Sequence, residues 1–161
     1  MNNKITIITI LLTTITLQAN SDIKKNVNFH VGTVNLKNSN KSESIVGLEV
    51  SIHKKIADNL YLGIGGESQF FNNGRAVDLY PSISYDITPN LSANATVGYT
   101  LGEINDISYT GISSSVGLNY AFNKKYGVGI RYKNYSIDYY TINGDIPDTL
   151  AATTISFNQK F

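Results

Sequence analysis

The sequence predicts an all-β protein: an eight-stranded antiparallel up-and-down β-barrel that spans a membrane. Three observations carry this prediction. Eight segments alternate apolar and polar residues, the apolar side of these segments holds no charge, and the connections between them differ in length in a regular way. At 161 residues the chain is long enough for one such domain.

The first residues have the layout of a secretory signal peptide. A short basic start, Met1–Lys4, precedes the uncharged stretch Ile5–Leu17, and Ala19 offers a small residue for cleavage. The alternative, a transmembrane anchor, fits less well because a spanning helix needs ~20 apolar residues. Since the chain has no cysteine, no lipid anchor is expected after the cleavage site. We therefore expect residues 1–19 to be removed and residues 20–161 to form the barrel domain.

Each strand is inferred from a run of alternating residues between turn residues. Successive side chains of a strand point to opposite sides, and a tilted strand needs about 9–11 residues to cross a bilayer. In chain order, the expected strands are Asn26–Lys37, Ser44–His53, Leu60–Phe70, Val77–Ile87, Leu91–Gly102, Thr110–Phe122, Tyr126–Ile137 and Thr149–Phe161. Pro81 cannot donate a ladder hydrogen bond in the middle of its strand, so we expect a bulge or local irregularity there.

The two faces of these strands differ sharply in polarity. In the first strand Val27, Phe29 and Val31 share one face, while Asn28 and His30 lie on the other. The same separation recurs along the chain, and every charge inside a strand falls on the polar face. Alternation alone leaves two orientations open, because a soluble lipocalin-like barrel has an apolar interior and a polar exterior.

Connection lengths and aromatic residues favour the membrane orientation. Short turns on one side and longer loops on the other are typical of transmembrane barrels, as are aromatic girdles near both boundaries. The short connections are Lys54–Asn59, Thr88–Asn90 and Asn123–Lys125, and the longer ones are Glu103–Tyr109, Asp138–Asp148 and, more modestly, Phe71–Ala76. Aromatic residues of the apolar face lie near one rim at Phe29, Tyr85, Phe122, Tyr126 and Phe161, and near the other at Phe70, Tyr99 and Tyr132. Ordinary β-propensity is the alternative explanation for any one of these rings.

The chain ends on its last strand. The segment Thr153–Phe161 alternates up to its final residue, and this ending resembles the C-terminal signal by which outer-membrane barrels are recognised for assembly, with Ile155, Phe157 and Phe161 as the signal residues. Gln159 departs from the pattern, since the family more often has an aromatic or apolar residue there. Over about residues 26–161, the chain resembles small eight-stranded outer-membrane barrels of the OmpA and OmpX type and the opacity-like adhesins.

This resemblance implies a location in the bacterial outer membrane, contact with its lipid, recognition by the barrel-assembly machinery through the last strand, and a monomeric state. Composition points the same way. Loss of Lys4 with the signal leaves equal numbers of basic and acidic residues, so there is no electrostatic case for nucleic acid. Without cysteine there is neither a disulfide nor a thiolate metal site, and no cofactor is expected.

Charged residues on the polar face predict an ion-pair network inside the barrel. Glu49, Glu67 and Asp78 come from the second, third and fourth strands, while Arg131 and Lys133 come from the seventh, on the opposite wall. An eight-stranded barrel is only wide enough to be filled by side chains. We therefore expect these five residues to pair across the lumen and block free passage. The alternative is a wet cavity in which each charge is separately solvated.

Three patterns that suggest chemistry are weak. Ser51 and His53 share a face with Glu49, but residues two apart on a strand are ~6.6 Å apart, too far for a direct hydrogen bond. His30 and His53 lack a nearby carboxylate cluster, so no metal site is expected. Gly63, Gly65 and Gly66 have no following helix and no lysine, unlike a phosphate-binding loop. We therefore expect no enzyme activity.

The functional expectation is a barrel with a filled polar lumen that presents external loops for envelope structure or adhesion. The alternative is a narrow channel for ions or small solutes. Partners would contact the loops, with Tyr139, Tyr140 and Ile142 as a contact patch or as packing on the rim. The expected loops are Asn38–Glu43, Phe71–Arg75, Glu103–Tyr109 and Tyr139–Asp148.

Overall fold

A computed structural model describes residues 22–36, 41–72, 74–141 and 144–161. They form eight strands: β1 Ile23–Leu36, β2 Lys41–Ala57, β3 Leu60–Phe71, β4 Gly74–Asp86, β5 Leu91–Ile104, β6 Ile107–Ala121, β7 Tyr126–Thr141 and β8 Gly144–Lys160. The expected signal peptide, residues 1–19, lies outside the described residues. Within the described ranges no helix has the length and apolar character needed to cross a membrane.

The eight strands close into one barrel in chain order. Every neighbouring pair is antiparallel, and β8 pairs with β1, which confirms the predicted fold class. The strands are staggered around the barrel. A path that starts at Lys24 and steps from each residue to its paired residue on the next strand returns to β1 at Val34, ten residues further on. The residues on this path are His53, Gly63, Ser82, Thr96, Ser115, Lys133 and Ala152. This stagger tilts the strands and leaves an interior that side chains can fill.

Around the middle of the barrel, apolar side chains point outward and polar side chains point inward. Ile64 and Leu79 are 70% and 67% exposed, whereas Glu67 and Asp78 on the same two strands are buried. We call the outward apolar side chains the apolar belt: Phe29, Val31, Val46, Leu48, Leu62, Ile64, Phe70, Val77, Leu79, Ile83, Tyr85, Val97, Tyr99, Leu101, Ile112, Val116, Leu118, Tyr120, Phe122, Tyr126, Val128, Ile130, Tyr132, Ile155, Phe157 and Phe161. A water-soluble protein rarely exposes a continuous apolar surface of this kind.

The barrel has two distinct rims. At the terminal rim, β1 begins, β8 ends and the turns β2–β3, β4–β5 and β6–β7 lie; at the hairpin rim, the other four connections lie. The prediction of long loops at the hairpin rim was wrong, because the strands continue through most of Glu103–Tyr109, Tyr139–Asp148 and Phe71–Arg75. Asn105 and Asp106 alone connect β5 to β6, with φ of 50° and 64°. Two such residues give the tight hairpin turn whose twist matches that of the flanking strands.

Two of the three terminal-rim turns are longer than the two-residue β5–β6 turn of the hairpin rim, so the predicted difference in connection length was also wrong. Four residues, 87–90, join β4 to β5, and four, 122–125, join β6 to β7. Side chains stabilise both turns: the Thr88 hydroxyl accepts a hydrogen bond from the Leu91 backbone N–H, and the Asn123 side-chain carbonyl accepts one from the Tyr126 backbone N–H. The orientation of the barrel therefore rests on its apolar belt rather than on its turns.

Pro81 interrupts the ladder without changing its register. Pairing of β4 with β5 stops after Leu79 and resumes at Ser82, opposite Thr96, with the same offset on both sides. The predicted local irregularity is thus an interruption of pairing and not a bulge. The register shift that the structure does contain lies in β2, between Lys55 and Ala57 at the terminal rim.

Candidate functional site

The structure brings the five charged lumen residues into one connected network. The Arg131 guanidinium donates to Glu49 Oε2 at 2.5 Å and also to Glu67 Oε1. The Lys133 ammonium donates to Glu67 Oε2 and to Asp78 Oδ2, both at 2.9 Å. Each of these residues is buried, so the network crosses the lumen from β7 to β2, β3 and β4.

Strand register explains why the acidic residues meet. Glu49 lies directly opposite Glu67 in the β2–β3 ladder, and Glu67 lies directly opposite Asp78 in the β3–β4 ladder. Like charges in directly opposed positions destabilise a sheet. The cations on the opposite wall compensate this repulsion, which makes the two walls of the barrel dependent on each other.

Two residues of β1 also contact the Glu49 carboxylate. Asn28 donates to Glu49 Oε1 at 2.8 Å, and His30 Nε2 lies 3.1 Å from Glu49 Oε2.

His30, Glu49 and Glu67 could each offer one ligand atom to a metal ion, since these atoms lie within 4.8 Å of one another. The Arg131 guanidinium donates to both of these carboxylates, so they already have a cationic partner. His53, the other histidine considered for a metal site, lies outside this cluster and contacts Asn26 and Ser82 instead.

An apolar cluster fills the lumen between the network and the hairpin rim. Tyr135 links the two layers, because its hydroxyl donates to Gln69 and its ring lies 5.1 Å from the Lys133 ammonium. We call this cluster the apolar plug: Val34, Ile45, Ala76, Ile104, Tyr109, Tyr135, Ile137, Leu150 and Ala152, with Phe71 and Tyr139 packed against it. Sequence reasoning missed it, although the polar face of each strand turns apolar toward this end.

A polar cavity of about 60 Å³ lies on the other side of the network, toward the terminal rim. Within it, His53 Nε2 lies 2.9 Å from the Ser82 hydroxyl, and His53 Nδ1 lies 3.4 Å from the Asn26 amide nitrogen. Both ring nitrogens therefore have partners other than Ser51 and Glu49. The sequence did not indicate the Ser82–His53 contact, because it joins β2 to β4 across the intervening β3.

Two residues of the expected assembly signal, Ile155 and Phe157, lie on the outside of β8, and the third, Phe161, directly follows this strand. Ile155, Phe157 and Phe161 are all exposed, and Phe157 stacks on Tyr126 with 5.7 Å between ring centroids. The backbone N–H of Phe161 donates to the Lys25 carbonyl at 3.0 Å, which joins the end of the chain to β1. Their role in assembly stays a prediction.

The hairpin rim has a mixed surface. Tyr139 packs edge-on against Tyr109 at 5.9 Å, so it serves rim packing, while Tyr140 is exposed and its hydroxyl lies 2.7 Å from that of Thr110. Arg75 and Glu103 form an exposed ion pair at 2.8 Å. The third residue of the expected contact patch, Ile142, lies outside the described residues.

Comparison with known proteins identifies the fold. No family model matches the chain, and no curated protein matches it in sequence. Among solved structures, the chain is similar to the Neisserial surface protein A, NspA (11% identity, 89% of this chain, 100% of that chain, TM-score 0.57). It is also similar to Ail, the attachment invasion locus protein of Yersinia pestis (8%, 86%, 97%, 0.58), and to the outer membrane enzyme PagL (12%, 83%, 97%, 0.59).

These similarities confirm the predicted class at the level of fold: the chain has the architecture of small eight-stranded outer-membrane barrels. The named proteins differ in role, so the fold alone assigns none of their activities to this chain. A designed transmembrane barrel has the same architecture (14% identity, 84% of this chain, 95% of that chain, TM-score 0.52).

Proposed function

We propose that this protein is an integral barrel of the bacterial outer membrane with a closed lumen. The barrel is held in the bilayer by its apolar belt, and the polar ends of its strands project beyond the bilayer and serve envelope structure or adhesion. The observation that carries the proposal is the inverted polarity of the barrel. Its exterior is apolar over the whole circumference, while its interior holds a buried ion network and an apolar plug in series.

The apolar belt supports insertion into lipid. In hydrocarbon every backbone polar group needs an internal partner, and a barrel in which β8 pairs with β1 supplies these partners without a free edge. Along β7 the outward residues Val128, Ile130 and Tyr132 are apolar, whereas Asn134 and Asp138 are polar. The strand therefore runs from lipid into water before it reaches the hairpin rim.

The filling of the lumen supports a structural role over transport. An ion entering from the terminal rim would meet the Arg131 layer and then the packed rings of Tyr109 and Tyr135, which are each about 1–2% exposed. A conducting path would need both layers to open. The alternative function, a narrow channel for ions or small solutes, therefore requires a different packing of the interior.

Planar-bilayer recording on the refolded mature chain separates these two functions. We expect no stable conductance steps over the background of the bilayer. Discrete, reproducible steps that disappear when the protein is heat-denatured before addition would refute the closed lumen and favour the channel.

We also propose that the protein has no enzymatic activity. The Ser82–His53 pair lies inside the lumen, away from the lipid-facing surface where an acyl chain would approach. Asn26, rather than a carboxylate, lies at the second ring nitrogen of His53. Analysis of membrane lipids with and without the protein tests this; a changed lipid species that requires both Ser82 and His53 would overturn it.

The last strand is proposed to direct assembly through Ile155, Phe157 and Phe161, with the barrel-assembly machinery as the partner. Their outward side chains are accessible to a recognising surface before the barrel closes. Phe161→Ser is expected to lower the fraction of heat-modifiable, folded monomer in the outer membrane. An unchanged fraction, with equal refolding in vitro, would remove Phe161 from the signal.

A further inference from the structure

Lysine residues are concentrated at one end of the barrel. Lys24 and Lys25 lie near the start of β1, Lys54 and Lys55 lie near the end of β2, Lys124 and Lys125 precede β7, and Lys160 ends β8. Seven of the chain's 13 basic residues therefore lie at the terminal rim. We call this set the basic arc.

The basic arc is continuous and covers one side of the rim. Strands β7, β8, β1 and β2 are consecutive neighbours in the barrel. The Lys160 backbone N–H donates to the Lys125 carbonyl at 2.8 Å, and Lys24 lies opposite His53, next to Lys54, in the β1–β2 ladder. On the other side of the rim, the turn 87–90 carries no charge.

Nearby carboxylates neutralise only part of the arc. Lys24 pairs with Asp86 at 2.7 Å, and Lys55 pairs with Asp58 at 3.2 Å. Lys54, Lys124 and Lys125 are exposed. Even with Asp22 included, the rim keeps an excess of positive charge.

Two features of this rim point to lipid rather than to an acidic protein. Lys54 is exposed on the outward face of β2, between Ile52 and the exposed Ile56. A lysine at such a position can lay its apolar stem along the belt and place its ammonium among the headgroups. On β7 and β8, Tyr126, which directly follows Lys125, stacks on Phe157 on the same outward surface. Aromatic rings beside lysines are the arrangement found at the boundary between hydrocarbon and headgroups.

We propose that Lys25, Lys54, Lys124 and Lys125 of the basic arc bind the phosphate groups of anionic phospholipids in the leaflet at the terminal rim, whereas Lys24 and Lys160 line the interior cavity. Lys25 lies opposite Ile52, so it is a diagonal neighbour of Lys54, at a spacing of about 7–8 Å. Two lysines at this spacing can share one phosphate. Because the arc covers four of the eight strands, it holds anionic lipid on one side of the barrel.

The test rests on the proposed membrane barrel and uses two kinds of vesicle. The mature chain is refolded in phosphatidylcholine alone and in phosphatidylcholine partly replaced by phosphatidylglycerol of the same acyl chains. Retention of phosphatidylglycerol is measured by native mass spectrometry and by energy transfer to a labelled lipid. Failure to fold in either vesicle would overturn the membrane barrel itself; folding without preferential retention would overturn only the lipid site.

The variant set replaces Lys54, Lys124 and Lys125 by glutamine, with arginine at the same three positions as the matched control. Since each lysine near a charged surface contributes about a fivefold gain in affinity, retention should fall at least about tenfold in the glutamine variant. The arginine variant should retain the lipid. Equal retention by both variants would refute the proposal, and binding of soluble polyglutamate in preference to the lipid would assign the arc to an acidic protein.

Discussion

Replacing Arg131 by methionine should destabilise the barrel more than any substitution of a surface charge. Arg131 is 7% exposed and donates to both Glu49 and Glu67, so its loss leaves three buried carboxylates with Lys133 as their remaining cationic partner in the network. Breaking a buried ion pair by removing one partner costs about 3–5 kcal/mol. Since 1.4 kcal/mol is a factor of ten, the unfolding equilibrium should shift by roughly two to three and a half orders of magnitude.

Urea unfolding in lipid vesicles, followed by heat modifiability on gels, measures this change. With a denaturant slope of about 2 kcal/mol per molar, the Arg131→Met midpoint should fall by about 1.5–2.5 M. The matched control is Arg75→Met, which removes one partner of the exposed pair with Glu103; these side chains are 51% and 35% exposed. An exposed pair contributes about 0–1 kcal/mol, so the control midpoint should hardly move.

A double variant distinguishes charge from packing. Adding Glu67→Gln to Arg131→Met removes the carboxylate that both Arg131 and Lys133 contact, so part of the lost stability should return. A midpoint for Arg131→Met equal to that of the parent would refute the network. Strictly additive losses in the double variant would show that packing volume, rather than unpaired charge, sets the cost.

Three further predictions test other parts of the structure. Leu150→Ala should lower the free energy of unfolding by about 2–5 kcal/mol because Leu150 is buried in the apolar plug, and a loss below 1 kcal/mol would show that this end of the lumen is wet. Ile64→Arg should lower the free energy of unfolding in vesicles by about 2–4 kcal/mol, because Ile64 lies in the apolar belt. Asn134→Arg, which also points outward but lies beyond the belt, should lower it by only about 0–1 kcal/mol. Equal losses would contradict contact of the belt with lipid. Asp106→Val should lower the free energy of unfolding by about 1–2 kcal/mol and Asp106→Gly should leave it unchanged, since Asp106 has a positive φ. Equal stabilities of the two variants would contradict the two-residue turn and favour the longer loop expected from the sequence.

The sequence was sufficient for the strand positions and for the polarity of the two faces. Side chains of a strand alternate between its two faces, so the face of a residue can be read from its immediate neighbours in the sequence. Phe29 and His30 are assigned to opposite faces in this way. The end of each strand was less predictable. Glu103 and Ser108 are polar enough to suggest a loop, yet they pair directly, because the Asn105–Asp106 turn extends the hairpin.

The interior depended on register, which the sequence does not give directly. The opposition of Glu49, Glu67 and Asp78 follows from two ladder offsets that no local pattern specifies. The Ser82–His53 contact has the same origin. The apolar plug did leave a signal, since Ile137 and Leu150 occupy inward positions, but they were the last and the second residue of their expected strands, and two such positions do not indicate a cluster.

The central claim is that the apolar outside of the barrel contacts lipid while its charges are enclosed. The chain has no cysteine, so a single substitution along the outward side of β7 gives one spin-label site at Val128, Ile130, Tyr132, Asn134 or Asp138. In vesicles we expect collisions with lipid-soluble oxygen to dominate from Val128 to Tyr132, and collisions with a water-soluble nickel reagent to rise from Asn134 to Asp138. Uniform access of the nickel reagent to all five sites would contradict the claim.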